Sequence, residues 1–281
     1  MKRSFFFAVI FSALFVACGD DSSGSGPASG EESSSSVSGE TLKSSDSGEG
    51  NLIVEEDLGP VVEADSCRIS GKNECEYGTL TDDRDGQEYK TVKIGKQTWM
   101  AENLNYNIEN PKSVLALTPC FNERLDSCSK YGRYYTWSQA MDSAATWSSE
   151  GKNCGLSSKV CRVKAPVRGI CPEGWHLPSR AEWVYLLDAI GWENSLEKLA
   201  SISGWYIDKG RDRFGFDARP GHRQESHAIW GHTGTEAYFW SSTQFDEVYA
   251  FIMYLSDFDE KAYVDMDFKR YRLNVRCVQD D

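Results

Sequence analysis

Three of the four histidines in the chain, His222, His227 and His232, share an eleven-residue window with Glu225. Imidazole nitrogens and a carboxylate are ligands for a transition metal. The five-residue step between successive histidines suits neither one helix face nor one strand face, so these three are weak metal candidates and no cofactor is expected. The same region interleaves aromatic with polar side chains: Trp205, Tyr206, Trp230 and Tyr238 run among Asp208, Arg211, Asp217, Arg223 and Glu225. Aromatic faces stack on sugar rings, and carboxylates and guanidinium forks fix hydroxyl geometry, so this mixture suits a glycan. Trp205, Tyr206, Asp217, Arg223, Glu225 and Trp230 are therefore the ligand-binding candidates. Catalysis has no comparable support, because a G-x-S-x-G elbow and a phosphate-binding glycine loop are both missing. The chain reads as a binding module rather than an enzyme.

These loops need a scaffold, and residues 171–191 supply its clearest element. Ser179 followed by Glu182 has the spacing of a capping box. Trp183, Leu186, Leu187 and Ile190 then fall on one helical stripe, and Gly191 stands at the helix stop. A second capping box, Thr136 with Gln139, opens a helix whose stripe is Trp137, Ala140, Met141 and Ala144. A third, shorter helix is expected from Asn194, capped with Glu197, to near Ser203. Asp85-Gly86 lies between Leu80 and the alternating run Tyr89, Val92, Ile94, which is a hairpin signal. A calcium loop there fails at Thr81 and Val92. Residues 249–278 read as two or three strands, with Asp265 and Asp267 on a solvated face. Trp99, Trp137, Trp175, Trp183 and Trp240 sit in periodic segments and are assigned to packing.

The first residues are a processing signal. Lys2 and Arg3 precede the apolar run 5–17, which is too short to span a bilayer, and Phe15-Val16-Ala17-Cys18 resembles a bacterial lipobox. Residues 1–17 are thus expected to be a signal peptide and Cys18 a lipid-modified terminus that holds the protein to the membrane. Residues 19–66 carry twelve Asp or Glu against one Lys, with much Gly and Ser, a composition that cannot bury enough apolar surface to order itself. From Cys18 to Ser66 we read a disordered tether of about 40 Å reach. Its apolar patches, Leu52 to Val54 and Val61 to Val62, read as chance interruptions or docking segments. The acidic excess sits in this tether, and the remaining chain from 67 to 281 is close to balanced. A nucleic-acid partner is not indicated.

With Cys18 assigned to lipid, eight of the nine cysteines remain, an even number in an exported chain and hence the arithmetic of disulfides. Many connectivities are open. Local spacing suggests Cys67 with Cys75, Cys120 with Cys128, and Cys154 with Cys161, which leaves Cys171 for Cys277. None of these pairs has the C-x₂-C spacing of a zinc knuckle.

Six runs carry a family resemblance: DRDGQEYKTVKIGKQTWMAENLNY (83–106), YGRYYTWSQAM (131–141), CPEGWHLPSRAEW (171–183), FGFDARPGHR (214–223), AYFWSST (237–243) and VRCV (275–278). In this order they are similar to the blocks of the Fibrobacter succinogenes major paralogous domain, over about residues 79–279. The resemblance implies one exported domain, commonly borne on lipoproteins of the outer membrane or cell surface, with no established activity. HLPSRAEW followed by VRCV is also similar, more distantly, to C-type-lectin-like folds and the formylglycine-generating group. That implies an α+β fold with two main helices flanking antiparallel sheets and a long loop region, stabilised by disulfides. The late reactive cysteine pair of the formylglycine-generating enzymes has only Cys277 here. The expected partners are the membrane, through the lipid, and a polysaccharide or an envelope protein.

Overall fold

In the computed structural model, residues 56–281 are described except 70–71, 109–117, 122–123, 156–160, 162, 226–227 and 231–233. The signal segment, Cys18 and the tether up to residue 55 lie outside the described residues. In chain order the strands are β1 (Arg68–Ile69), β2 (Lys72–Asn73), β3 (Tyr77–Asp82), β4 (Gln87–Ile94), β5 (Gln97–Met100), β6 (Tyr135–Thr136) and β7 (Trp175–His176). They continue with β8 (Arg223–Glu225), β9 (Ala228–Trp230), β10 (Glu236–Gln244), β11 (Tyr249–Ser256), β12 (Lys261–Phe268), β13 (Arg272–Leu273) and β14 (Val278–Gln279). The helices are α1 (Cys128–Tyr131), α2 (Trp137–Ala140), α3 (Arg180–Ile190) and α4 (Ser195–Leu199). The strands form antiparallel sheets in the orders β1-β2, β10-β11-β12, β6-β13-β8-β9 and β3-β4-β5-β14-β7. The hairpin at Asp85-Gly86 joins β3 to β4 in register from Tyr77↔Val92 to Asp82↔Gln87.

The helix α3 forms as its sequence requires. Ser179 Oγ accepts the Glu182 amide at 3.2 Å and Glu182 Oε2 accepts the Ser179 amide at 2.8 Å, so both orphan donors are satisfied. Gly191 ends the helix at φ 75°. The stripe of Trp183, Leu186 and Leu187 is fully buried, with Trp183 stacked on Trp99 at 4.6 Å and tilted against Phe239 at 6.0 Å. Strand β10 divides two cores by alternation. Ala237 and Phe239 face α3 and Trp99, whereas Tyr238 and Trp240 face Trp137, Tyr135 and Leu273. Indole donors stitch the halves together: Trp240 Nε1 to the Tyr135 carbonyl at 2.7 Å, Trp137 Nε1 to that of Ser241 at 2.8 Å, and Trp183 Nε1 to that of Trp240 at 3.3 Å. Four disulfides, Cys67–Cys75, Cys120–Cys128, Cys154–Cys161 and Cys171–Cys277, close the chain.

The architecture is richer in sheet than a two-helix α+β plan. The capping box of Thr136 and Gln139 is present, yet α2 stops after Ala140. Asp142 takes φ 50° and Ala145 φ 56°, and the Asp142 carboxylate accepts the amides of Thr146, Trp147 and Ser148. A side chain that binds the next amides competes with helix continuation. Only α4 represents the third expected helix: Asn194 is left-handed and makes no side-chain cap, and Glu197 pairs with Arg213 at 2.7 Å instead of capping. Asp267 is also not on a solvated face, being 4% exposed and 3.4 Å from Arg223.

Residues 56–64, expected to belong to the tether, form a strap along α3. Glu56 Oε2 accepts the Ser179 hydroxyl at 3.3 Å, the Val62 amide donates to Tyr185 Oη at 2.8 Å, and the Ala64 amide donates to the Ala189 carbonyl at 2.9 Å. Gly95, at φ 60°, lies beneath the strap, and a Cβ there would stand 2.7 Å from the Val62 carbonyl oxygen. Removing the central indole of this arrangement, Trp183→Ala, is expected to cost about 3–5 kcal/mol in chemical denaturation at constant m-value.

Candidate functional site

The loop that ends α2 builds one wall of a cleft of about 470 Å³, a volume typical of small-molecule sites. The three amides gathered by Asp142 fix Trp147, whose ring meets Tyr106 edge-on at 5.3 Å. Arg84 lies 4.0 Å over Tyr106 and 5.3 Å from Trp147, itself held by a fork on Asp82 at 2.8 and 2.6 Å. Ser148, Ser149 and Glu150 continue this wall. Pro166 and Arg168 also line it, the latter tied to the Trp147 carbonyl at 3.2 Å and the Cys171 carbonyl at 3.1 Å. His176 from β7 and Asp280 from the chain end complete the lining. Ser148 Oγ is buried with no hydrogen-bond partner.

His176 is the electrostatic centre of the cleft. Its Nδ1 lies 2.6 Å from Asp280 Oδ1 and its Nε2 2.8 Å from Glu182 Oε1, so a doubly protonated ring donates to a carboxylate on each side. Burial opposes the charge, but the hydrogen bonds and charges of Glu182 and then Asp280 outweigh it and raise the pKa above 6.5. Glu56 stands nearby; burial, followed by repulsion from Glu182, pushes its carboxyl up. With both nitrogens engaged, His176 fastens the cleft floor and offers no free lone pair as a base.

Of the six ligand-binding candidates from the sequence, Arg223, Glu225 and Trp230 share the β8-β9 hairpin, and the side chains of Glu225 and Trp230 lie outside the described residues. Trp205 belongs to the core, 7% exposed, with Nε1 on the Ala218 carbonyl at 3.2 Å; its flanking polar residues gave a false impression of a surface site. Tyr206 is 81% exposed. Asp217 pairs with Arg219 at 2.7 Å and accepts Arg276 on its carbonyl, and Arg223 lies over Tyr238 and beside Asp267. Glu225 and Trp230 fall in β8 and β9, with Trp230 opposite Arg223. Tyr238 stacks on Tyr254 and Tyr254 on Tyr263, at 5.7 and 5.0 Å, so these rings use their faces on each other. Of the histidines, His222 is buried between Tyr134 and Phe121, and burial lowers its pKa to about 4. His227 and His232 lie outside the described residues. Among the described residues no three His, Cys, Asp or Glu side chains gather as metal ligands. Trp147, Arg168, His176 and Asp280 escaped sequence reasoning, since 133 residues separate the first from the last; the available signal was His176, set between Cys171 and a capping box.

A disulfide-braced, antiparallel-sheet module with a lined cleft is the class that fold and site define. The profile of the Fibrobacter succinogenes major domain matches residues 92–279, and the chain belongs to that family of surface-associated modules. Comparisons with the curated proteins and with the solved structures return no match.

Protonated His176 makes stability depend on pH. A folded pKa raised above 6.5 means that the contribution is fully present below that pH and is lost as pH rises through the folded value. In wild type minus His176→Gln, the stability difference should therefore shrink from pH 6.5 upward in denaturation titrations. Burial raises Asp212 to about 7; it titrates in both proteins and cancels.

Proposed function

We propose that this chain is an exported, lipid-anchored binding module whose cleft takes a hydroxyl-rich glycan, a segment of an extracellular polysaccharide. The observation that carries the reading is the lining itself. Residues with an indole, a guanidinium, two carboxylates and a serine hydroxyl, Trp147, Arg168, Glu150, Asp280 and Ser149, line one open volume. Neutral sugars present apolar ring faces and hydroxyls that both donate and accept, which this combination matches. A strongly charged ligand fits less well, because Glu150 and Asp280 oppose the cations of Arg168 and His176. The engaged ring of His176 favours binding over catalysis.

The fold reading that goes with it is a sheet-expanded relative of the C-type-lectin-like plan. Its support is β14 pairing with both β5 and β7, just ahead of α3, with Cys171–Cys277 beside them. Anchorage through Cys18, at the outer membrane or cell surface, rests on the lipobox-like residues alone. The competing function, an envelope-protein interaction module, differs in what co-purifies.

Insoluble-polysaccharide pull-down and a glycan array on the wild type and Trp147→Ala separate these readings. Retention by at least one polysaccharide that falls tenfold or more, about 1.4 kcal/mol, in Trp147→Ala supports the cleft. Equal retention of both proteins removes the cleft as the site, and no retention alongside a co-purifying envelope protein removes the glycan.

A further inference from the structure

The two carboxylates that hold His176 are placed differently. The Glu182 side chain is 7% exposed, stands outside the cleft lining, and is fixed by its other oxygen on the Ser179 amide at 2.8 Å. The Asp280 side chain is 46% exposed and lines the cleft with the ring. Its amide donates to the Gly174 carbonyl at 3.0 Å, so the carboxylate can turn while its backbone stays. A neutral imidazole has one N–H and one bare lone pair. It can donate to one of these carboxylates and must face the other with the lone pair.

We infer that on losing its proton the ring keeps Nε2–H on Glu182, releases Asp280 to water and turns Nδ1 into an open acceptor in the cleft, a site for a hydroxyl donor. Burial decides which carboxylate leaves, because an unpaired charge costs most where water cannot reach it. Glu56 adds to this. Its Oε2 accepts the Ser179 hydroxyl and its charge opposes that of Glu182, so a lone pair at Nε2 would leave two neighbouring carboxylates without a cation. On the cleft side the charged groups are Glu150 and Arg168, the latter occupied by the Trp147 and Cys171 carbonyls, and exposed Asp281 follows Asp280. Burial lowers the ring's pKa and the two carboxylates raise it by more, to above 6.5, so the change falls on the alkaline side. The cleft then has two states. In the first the ring is capped; in the second Nδ1 and the freed Asp280 are two acceptors for sugar hydroxyls. That a sugar supplies the hydroxyl rests on the glycan reading, whereas the state of the ring does not.

Nitrogen-15 NMR of the full chain reads the ring without any ligand, so its outcome is separate from that of polysaccharide retention. Above the titration of wild-type His176, Nε2 should carry the proton and Nδ1 should be bare. Diethyl pyrocarbonate, which modifies an accessible imidazole lone pair, reads the opening of Nδ1. At pH 6.5 His176 should react several-fold faster in Asp280→Ala than in wild type, and above both titrations the two proteins should react at the same rate. Buried His222, 2% exposed, reports the intact fold in the same samples. A proton on Nδ1 above the titration, or a ring that keeps both protons until the protein unfolds, overturns the inference. So does a wild-type rate that stays several-fold below that of Asp280→Ala when both rings are neutral.

Discussion

The imidazolium of His176, gripped by Glu182 on one side and Asp280 on the other, is the contact on which the arrangement depends. Glu182 uses one carboxylate oxygen to cap α3 and the other to hold His176. The helix start, β7 and the chain end are thus one hydrogen-bonded unit. Cys171–Cys277 closes the same junction across 106 residues, a cross-link that on the chain-entropy view stabilises by about 4–5 kcal/mol. A buried charge without its partner costs more than the pair contributes, so loss of either carboxylate strains the whole junction.

From that junction the rest follows by packing. Fixed at its first turn, α3 presents Trp183 to Trp99 and Phe239, and β10 passes the alternate residues to the second core around Trp137 and Trp240. The free edge of the sheet is blunted locally: Asp265 and Asp267 accept the amides of Met266 and Phe268, and Ser195 Oγ that of Ala262. Those amides are withheld from pairing with another strand. The cleft lies on the far side of the His176 tie, where the Asp142 loop meets the chain end.

What could be read from the residues was what short spacing encodes. The capping boxes opened by Thr136 and Ser179 and the hairpin turn rest on contacts within a few positions, and they stand in the structure; the cap expected at Asn194 does not form, and the packing tryptophans, marked by local periodicity, are buried through partners far along the chain. The extent of α2 was not legible, because Asp142 ends it by gathering amides from the loop that follows. Trp205 misled for a related reason: its polar neighbours Asp208 and Arg211 described the surface beside it, while its own ring turned inward. The strap was hidden by composition, since acidic and glycine-rich flanks concealed that Val62 and Ala64 have partners on α3. The cleft joins Trp147 to Asp280 through tertiary packing alone, and no local pattern announces it.

The chain is a sheet-rich module of its family, and the cleft is the binding place we propose for it. The geometry of the junction and of the cleft turns on the charged state of one ring. Nitrogen-15 NMR of the His176 side chain at pH 6.5 tests this most directly. Nδ1 and Nε2 should both carry protons there, with exchange slowed by their carboxylate partners. A ring that is neutral at that pH, or that reorients freely, contradicts the account.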